Sequence, residues 1–264
     1  MPIQSIITNS SSGMLVDIEC HLSNNLPNTI IVGFANKSVG EARERLRGAF
    51  ASSKLELPRK RILINLAPAD IPKADSSFDL SIVVSIIQAS APQTFKAPAA
   101  VYIGELGLNG STRAVHGVIG KLLVGRDLGL TTFYVPAANI SQAQLVPGLR
   151  LYAVDNLEQL CRHLAGLISI EPIHTSAGDL PESSMSHNII ATSGAQLSEV
   201  VGQELAKRAL EIAAAGGHNI LLSGPPGTGK SMLAKALPSI MPPLSRKEIL
   251  AVTHLHSLAS YRYD

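Results

Sequence analysis

An eight-residue glycine-rich loop constrains the fold of this chain more than any other feature of its sequence. The loop fits the pattern G-x-x-x-x-G-K-[ST] at every fixed position. Its residues are Gly224, Pro225, Pro226, Gly227, Thr228, Gly229, Lys230 and Ser231. The apolar run 220–222 predicts a buried strand before the loop, and residues 232–237 predict a helix after it. A strand, such a loop and a helix in succession are typical of phosphate-binding α/β domains.

The residue types in this loop are suited to holding a phosphate chain. Glycines let backbone N–H groups approach phosphate oxygens closely, and the N-terminus of the following helix adds a favourable field. We predict that the Lys230 ammonium neutralises the β- and γ-phosphates and that the Ser231 hydroxyl ligates Mg²⁺. Residues 224–231 are therefore predicted to bind a nucleotide together with Mg²⁺.

The composition is that of a globular protein. The 264 residues, 45% of them hydrophobic, suffice for one large domain or two ordinary ones. A net charge of +2 neither proposes nor excludes nucleic acid as a partner. Cys20 and Cys161 lack metal-binding spacing. The most apolar run, residues 80–91, is too short to cross a bilayer, and the N-terminus has no secretory pattern. We therefore expect a cytoplasmic protein with no membrane partner.

Hydrophobic patterns divide the chain into two α/β segments. Residues 1–167 form the first, residues 168–195 are a predicted linker rich in Ser, Thr, Pro and Gly, and residues 196–264 form the second. The predicted strands are residues 15–22, 29–32, 61–66, 101–105, 131–135, 151–154 and 220–222. The predicted helices are one that begins at Ser38 and those at residues 77–89, 118–128, 157–167, 203–215, 232–237 and 244–257. The predicted fold class is α/β.

Four short motifs accompany the phosphate loop in a recognisable order. They are E-A-R-E-R at 41–45, N-L-A-P-A-D-I-P-K at 65–73, V-V-G-Q-E at 200–204 and G-G-H-N at 216–219. With the loop, they resemble the AAA+ ATPases of the magnesium-chelatase-like group, the bacterial YifB/ComM type. The resemblance covers nearly the whole chain and rests on several motifs at once.

This resemblance implies an ATPase that uses ATP and Mg²⁺, with Val201–Gln203 near the adenine and residues 224–231 around the phosphates. For the intact protein it implies a homo-hexameric ring that moves DNA strands, as in branch migration during recombination or natural transformation. Three other functions stay open. They are a chelatase subunit that drives Mg²⁺ insertion into a porphyrin, an ATP-dependent Lon-like peptidase and a non-catalytic interaction module.

The N-terminal segment in this group is similar to the catalytic domain of Lon protease, which shares its fold with a domain of ribosomal protein S5. Residues 72–79 correspond to the Lon segment P-K-D-G-P-S-A-G and place Ser77 at the position of the nucleophile. Residues 116–123 correspond to G-G-L-K-E-K-L-L, so Ile119 stands where Lon has its catalytic lysine, and Lys121 matches the second, non-catalytic lysine. Isoleucine cannot accept a proton from a serine, so we predict a non-proteolytic domain.

The residues after the loop lack parts that an AAA+ motor needs. Hydrolysis requires a second strand ending in an acidic pair and an arginine from a neighbouring subunit. Residues 232–264 contain no apolar strand with such an ending, and their carboxylates are Glu248 and Asp264. We therefore expect a C-terminally truncated copy or a fragment, which binds ATP–Mg²⁺ weakly without hydrolysing it.

Other polar clusters have simpler structural interpretations. His254 and His256 have no carboxylate or thiol close by in sequence to complete a metal site. Asp75 and Asp79 are predicted to stabilise a helix N-terminus, and the charged run 41–47 is predicted to be a solvated helix face. Aromatic residues make up 4% of the chain, which provides few platforms on which nucleic-acid bases could stack.

Overall fold

The computed structural model describes residues 2–9, 12–33, 37–71, 73, 76–175 and 196–259. It contains two compact units, one formed by Met1–Asp179 together with Leu250–Asp264 and the other by Leu180–Ile249. Within these described ranges, no helix has both the length and the apolar character needed to cross a membrane.

The first unit is built on a central sheet with helices packed against it. Its strands are β1 (Ile3–Asn9), β2 (Ser12–Ser23), β3 (Asn28–Val32), β4 (Arg61–Ala67), β5 (Val101–Tyr102), β6 (Glu105–Leu106), β7 (Thr112–Arg113), β8 (Thr132–Pro136), β9 (Arg150–Val154) and β10 (Ile173–His174). Its helices are α1 (Lys37–Ser52), α2 (Asp79–Ser90), α3 (Val118–Asp127), α4 (Ile140–Ala143) and α5 (Leu157–Leu164).

Eight of these strands form one mixed sheet in the order β10-β9-β8-β5-β1-β2-β4-β3. Neighbours run parallel at β9–β8, β8–β5, β5–β1 and β4–β3, and antiparallel at β10–β9, β1–β2 and β2–β4. Strands that alternate with crossover helices produce such parallel pairs. The predicted α/β class is confirmed. Strand β10 lies within residues 168–195, the segment predicted to be a linker.

Strand β1 occupies the middle of this sheet, although the sequence analysis assigned no strand to the N-terminus. It pairs with β2 over seven residues, from Ile3 opposite Ile18 to Asn9 opposite Ser12, and with β5 on its other edge. Ile3 and Ile7 belong to one hydrophobic core, whereas Ile6 belongs to a second one. Because successive side chains of a strand point to opposite faces, β1 contributes to the packing on both sides of the sheet.

Helix α2 packs in the first of these cores. Every residue from Asp79 to Ile87 is buried, so the helix is enclosed on all sides. This burial explains its β-branched composition, since packing overrides the weak helix propensity of valine and isoleucine. Helix α3 lies in the second core, where Val118, Ile119 and Leu122 are fully buried.

A stack of tyrosines crosses three neighbouring strands. The Tyr134 ring on β8 stacks between Tyr102 of β5 and Tyr152 of β9, with ring centroids 4.7 and 4.6 Å apart. The Tyr134 hydroxyl lies 3.0 Å from Nε2 of His163 in α5, and the Ile170 N–H donates to Nδ1 of the same imidazole at 3.0 Å. Since Nδ1 accepts a hydrogen bond, Nε2 carries the proton of the neutral ring and donates to Tyr134.

A buried ion pair joins α1 to α2. The Arg45 guanidinium donates to the Asp79 carboxylate from Nε to Oδ2 at 2.7 Å and from Nη2 to Oδ1 at 2.9 Å. The Leu106 N–H donates a third hydrogen bond at 3.1 Å. Burial nevertheless raises the pKa of Asp79 to about 6, because only 1% of its side chain is exposed. Asp79 lies in the first turn of α2, at the helix N-terminus where it was predicted, and it also binds α1. Asp75, which was predicted beside it, lies outside the described residues.

The second unit is a small helical assembly around the phosphate loop. Its helices include α6 (Glu204–Gly216) and α7 (Lys230–Ala236), and α8 (Arg246–Ala259) begins at its C-terminal end. Its buried hydrophobic cluster consists of Val200, Leu210, Leu233 and Ala236.

Residues 220–222, which were predicted to form a strand, have no regular secondary structure. A strand requires a hydrogen-bonded neighbour, and the described part of the second unit contains no other strand to pair with them. Leu221 is consequently 90% exposed. The apolar pattern of residues 220–222 favours a strand, but a strand forms only where a neighbouring strand is present to pair with it.

We expect the Asp79→Asn substitution to change how the stability of the first unit depends on pH. A carboxyl group whose pKa is raised on folding favours the folded state at low pH, and this contribution is lost as pH rises from 3.8 to about 6. Relative to the uncharged variant, the wild type should lose about 2 kcal/mol of unfolding free energy between pH 4 and pH 7. Urea unfolding at several pH values, followed by tyrosine near-UV circular dichroism, measures this difference. A stability gap that does not change with pH would contradict the expectation.

Candidate nucleotide site and protease-like site

The phosphate loop has the backbone geometry that its glycines predict. Gly227 and Gly229 have φ values of 81° and 79°, in the left-handed region that side-chain-bearing residues rarely adopt. Gly229 is the residue immediately before α7, so the turn ends where the helix begins. The first internal bond of the helix runs from the Leu233 N–H to the Gly229 carbonyl at 3.0 Å. The N–H groups of residues 230–232 therefore precede the helical hydrogen-bond ladder, as in any helix N-terminus.

Lys230 holds its ammonium group over this loop. Its Nζ donates to the carbonyl oxygens of Gly224 at 2.8 Å and Pro225 at 2.7 Å. It also lies 3.3 Å from Oγ1 of Thr228, whose hydroxyl donates to the Pro225 carbonyl at 3.0 Å. A positive charge with three donors is thus placed where the loop curves. Phosphate oxygens carry full negative charge and are stronger acceptors than these carbonyls, so they could replace them.

The first turn of α7 also carries the predicted magnesium ligand. Ser231 is exposed and follows Lys230 directly in this turn. A cavity of about 390 Å³ adjoins both residues, and its other wall is apolar. The lining residues are Leu210, Ile220, Leu222, Lys230, Ser231, Ala234 and Leu237. The glycine backbone of the loop, the Lys230 ammonium group and the accessible Ser231 hydroxyl fit a nucleoside triphosphate and its Mg²⁺ ion.

Gln203 adds a contact to the loop that the sequence analysis missed. The resemblance predicted Val201–Gln203 near the adenine, but Nε2 of Gln203 donates to the Thr228 carbonyl at 2.8 Å. Gln203 and Thr228 are separated by 25 residues. The motif V-V-G-Q-E indicated that Gln203 belongs to the site, whereas its contact with Thr228 is seen only in the folded structure.

Glu248 is the one carboxylate between the phosphate loop and the last described residue, Ala259. Its Oε2 accepts hydrogen bonds from the N–H and the hydroxyl of Ser245 at 2.7 and 2.6 Å, which lowers its pKa. These contacts are typical of a capped helix N-terminus. Glu248 therefore stabilises the start of α8.

The residues at the protease-like positions, Ser77, Ile119 and Lys121, are all buried in the first unit. Ser77 lies in the turn before α2 and is fully buried, and its carbonyl accepts from the Gly104 N–H at 2.9 Å. Ile119, at the position of the catalytic lysine, is fully buried among apolar side chains. Lys121 is 1% exposed, and its Nζ donates to the Ile6 carbonyl at 2.9 Å. The lysine that remains in this segment thus supports strand β1.

Another lysine, Lys73, lies four residues before Ser77 in sequence and also forms a structural hydrogen bond. Lys73 is buried, and its ammonium group donates to the Pro68 carbonyl. Burial lowers the pKa of Lys73. Among the described residues, no three His, Cys, Asp or Glu side chains converge in a way that could hold a metal ion.

We expect this chain to lack serine-protease activity. Fluorescent casein should be cleaved no faster by the wild type than by the Ser77→Ala variant, because Ser77 is buried and Ile119 cannot act as a base. Labelling with a fluorophosphonate probe should likewise be equal in both proteins. The Ser85→Ala variant, which changes another buried serine, controls for effects on folding. Casein cleavage that disappears in Ser77→Ala alone would contradict this expectation.

Comparison with protein families matches both segments of the chain to magnesium chelatase. Residues 18–139 match the family described as subunit ChlI of Mg-chelatase. Residues 196–264 match the family described as magnesium chelatase, subunit ChlI. The first range includes most of the central sheet, and the second includes the phosphate loop.

Relatives resemble the chain over nearly its whole length. It is 40% identical over 250 residues to the uncharacterized protein YifB of Salmonella typhimurium, which covers 93% of this chain and 46% of the relative. It is 36% identical over 262 residues to the competence protein ComM of Haemophilus influenzae, which covers 98% of this chain and 50% of the relative. The chain therefore spans about half the length of these relatives.

The protease resemblance is found independently. The N-terminal part is 28% identical over 126 residues to the Lon protease of Heliobacterium modesticaldum, which covers 46% of this chain and 15% of that protease. The similarity agrees with the Lon-like character predicted for the N-terminal segment, while the buried environment of Ser77 and Ile119 argues against shared chemistry.

Proposed function

The chain belongs to the magnesium-chelatase-like family that contains YifB and ComM, and we propose that it binds ATP with Mg²⁺ at residues 224–231. The observation that carries the proposal is the placement of the Lys230 ammonium within hydrogen-bond reach of three loop oxygens. Such a group, held over an open glycine backbone, is arranged for an anion.

Each part of the loop has a separate role in this proposal. Lys230 binds oxygens of the terminal phosphates, backbone N–H groups around Gly227 and Gly229 bind the chain of phosphates, and Ser231 is a ligand of Mg²⁺. When bound, Mg²⁺ neutralises phosphate charge and fixes the geometry of the triphosphate. The apolar wall beside Lys230 shields one side of the site from water.

We further propose that residues 1–264 by themselves bind ATP without hydrolysing it. Hydrolysis needs a carboxylate that orients water beside the metal, and an arginine that neutralises developing charge. Glu248, the carboxylate described after the loop, is engaged as the cap of α8. In the intact protein, a homo-hexameric ring would supply the arginine from a neighbouring subunit.

For the intact protein we propose an ATP-driven DNA motor in the cytoplasm. The support is the family, together with the name of the relative ComM as a competence protein. Basic side chains on the first unit suggest where DNA binds. Arg43 and Arg47 both pair with Glu44, at 3.1 and 3.4 Å, whereas the consecutive exposed residues 59–61 (R-K-R) form no ion pair within the described part of the chain. Uncompensated charges of this kind bind phosphate backbones.

The Lys230→Ala substitution tests the nucleotide site. We expect ATP–Mg²⁺ affinity to fall by at least about tenfold, because charge-assisted hydrogen bonds to phosphate are lost. Displacement of a fluorescent ATP analogue measures the dissociation constant, and the rise in melting temperature with ATP gives a second readout. The Lys235→Ala variant is the matched control, since it removes an exposed lysine of the same helix. Equal affinity of Lys230→Ala and wild type would exclude the site, and phosphate release above that of Lys230→Ala would contradict the absence of hydrolysis.

Neutralising residues 59–61 tests the DNA surface. Replacement of all three by glutamine should weaken binding to branched DNA about tenfold at moderate salt and flatten the dependence of affinity on salt. The control replaces Arg43 and Arg47 by glutamine, because both already pair with Glu44. Fluorescence anisotropy at several salt concentrations measures both quantities. An unchanged salt dependence in the triple variant would show that DNA binds elsewhere or not at all.

A further inference from the structure

Gln203 has a backbone conformation that glutamine rarely adopts. Its φ and ψ are 61° and 36°, in the left-handed region, and among the described non-glycine residues it shares a positive φ only with Lys54. Steric contacts between Cβ and the backbone make this region unfavourable for most residues. Asparagine tolerates it because its short polar side chain can bond locally, which the longer glutamine side chain does less readily. An unfavourable conformation persists where surrounding contacts hold it, and such residues concentrate at functional sites.

The contacts of Gln203 join two elements of the second unit. Its backbone carbonyl accepts from the Lys207 N–H at 2.9 Å, which starts α6. Its side-chain Nε2 donates to the Thr228 carbonyl at 2.8 Å. One residue therefore fixes the beginning of α6 and reaches across to the phosphate loop.

Thr228 is the residue through which this contact acts on the site. Its hydroxyl donates to the Pro225 carbonyl, and its Oγ1 lies 3.3 Å from Nζ of Lys230. Its carbonyl belongs to the peptide that leads into Gly229, the residue before α7. Open space adjoins the loop backbone on either side of Thr228, since an added Cβ at Gly227 would meet nothing within 4 Å and one at Gly229 only the end of Met232.

We propose that Gln203 is a positioning residue of the phosphate loop, which orients the Thr228–Gly229 peptide so that Lys230 and the adjoining N–H groups face a single phosphate position. This inference rests on the proposed function. It assigns Gln203 to the triphosphate part of the ligand, because its amide donor is directed at the loop.

Two substitutions separate the side-chain contact from the backbone conformation. Gln203→Gly removes the whole side chain and adopts the left-handed conformation freely. Gln203→Ala removes the amide and keeps the steric penalty. Glu204→Ala is the matched control, because the neighbouring carboxylate pairs with Lys207 at 3.4 Å and has no contact with the loop.

Binding of ATP–Mg²⁺, GTP–Mg²⁺ and inorganic tripolyphosphate is measured by competition with a fluorescent ATP analogue. For Gln203→Gly we expect the affinity for all three to fall by the same factor, about five- to tenfold, since one hydrogen bond that orders the loop is lost. The ratio of ATP to GTP affinity should stay at the wild-type value. A loss confined to ATP would overturn the proposal in favour of base recognition, and unchanged affinities would overturn it outright.

Amide hydrogen exchange of the ligand-free protein gives a second readout that is independent of nucleotide. In Gln203→Gly the peptide containing residues 227–231 should exchange faster, whereas the peptide containing the C-terminal half of α6 should be unchanged. Faster exchange in α6 with none in the loop would show a role in the helix alone. The Lys230→Ala variant distinguishes failure of the proposed nucleotide site from failure of the positioning role of Gln203. Unimpaired ATP binding in that variant refutes the proposed function, whereas impaired binding there with normal binding in Gln203→Gly refutes only the positioning role.

Discussion

The pairing of β1 in the middle of the sheet is the interaction on which the first unit depends. This strand pairs with β2 over its whole length and with β5 on its other edge, and its side chains enter both hydrophobic cores. The Lys121 ammonium group donates a hydrogen bond to the carbonyl of Ile6 in the same strand. A buried ammonium requires such an acceptor, so the hydrogen bond from Lys121 helps to hold β1 in the sheet.

The second unit depends on a different constraint, the local backbone of the phosphate loop. Its buried cluster has four residues, and hydrogen bonds around Lys230, Thr228 and Gln203 organise the loop itself. Two backbone carbonyls and the Thr228 hydroxyl oxygen accept from the ammonium group of Lys230. A site built in this way can exchange its internal acceptors for phosphate oxygens with little rearrangement, because the donors already converge.

Sequence patterns predicted many elements of the first unit because their apolar periods are local. The helices found in this way are α1, α2, α3 and α5, and the strands include β2, β3, β4, β8 and β9. The patterns failed for β1, whose sequence mixes polar residues with isoleucines and whose place between two strands depends on distant partners. They also failed for residues 220–222, where an apolar run was assigned a strand without evidence of a neighbour. The buried helix predicted at residues 77–89 is present as α2. Nine successive residues of this helix are buried, so packing in the core stabilises it.

The sequence by itself determined the phosphate loop and the replacement of the protease lysine by Ile119. Both follow from residue identity at fixed spacing along a short segment, where chain connectivity already places the groups. Tertiary structure alone decided the partners of Lys121, Asp79 and Gln203, which lie 115, 34 and 25 residues away along the chain. Contacts of that separation depend on how whole elements pack, and a local pattern of residue types contains no information about them.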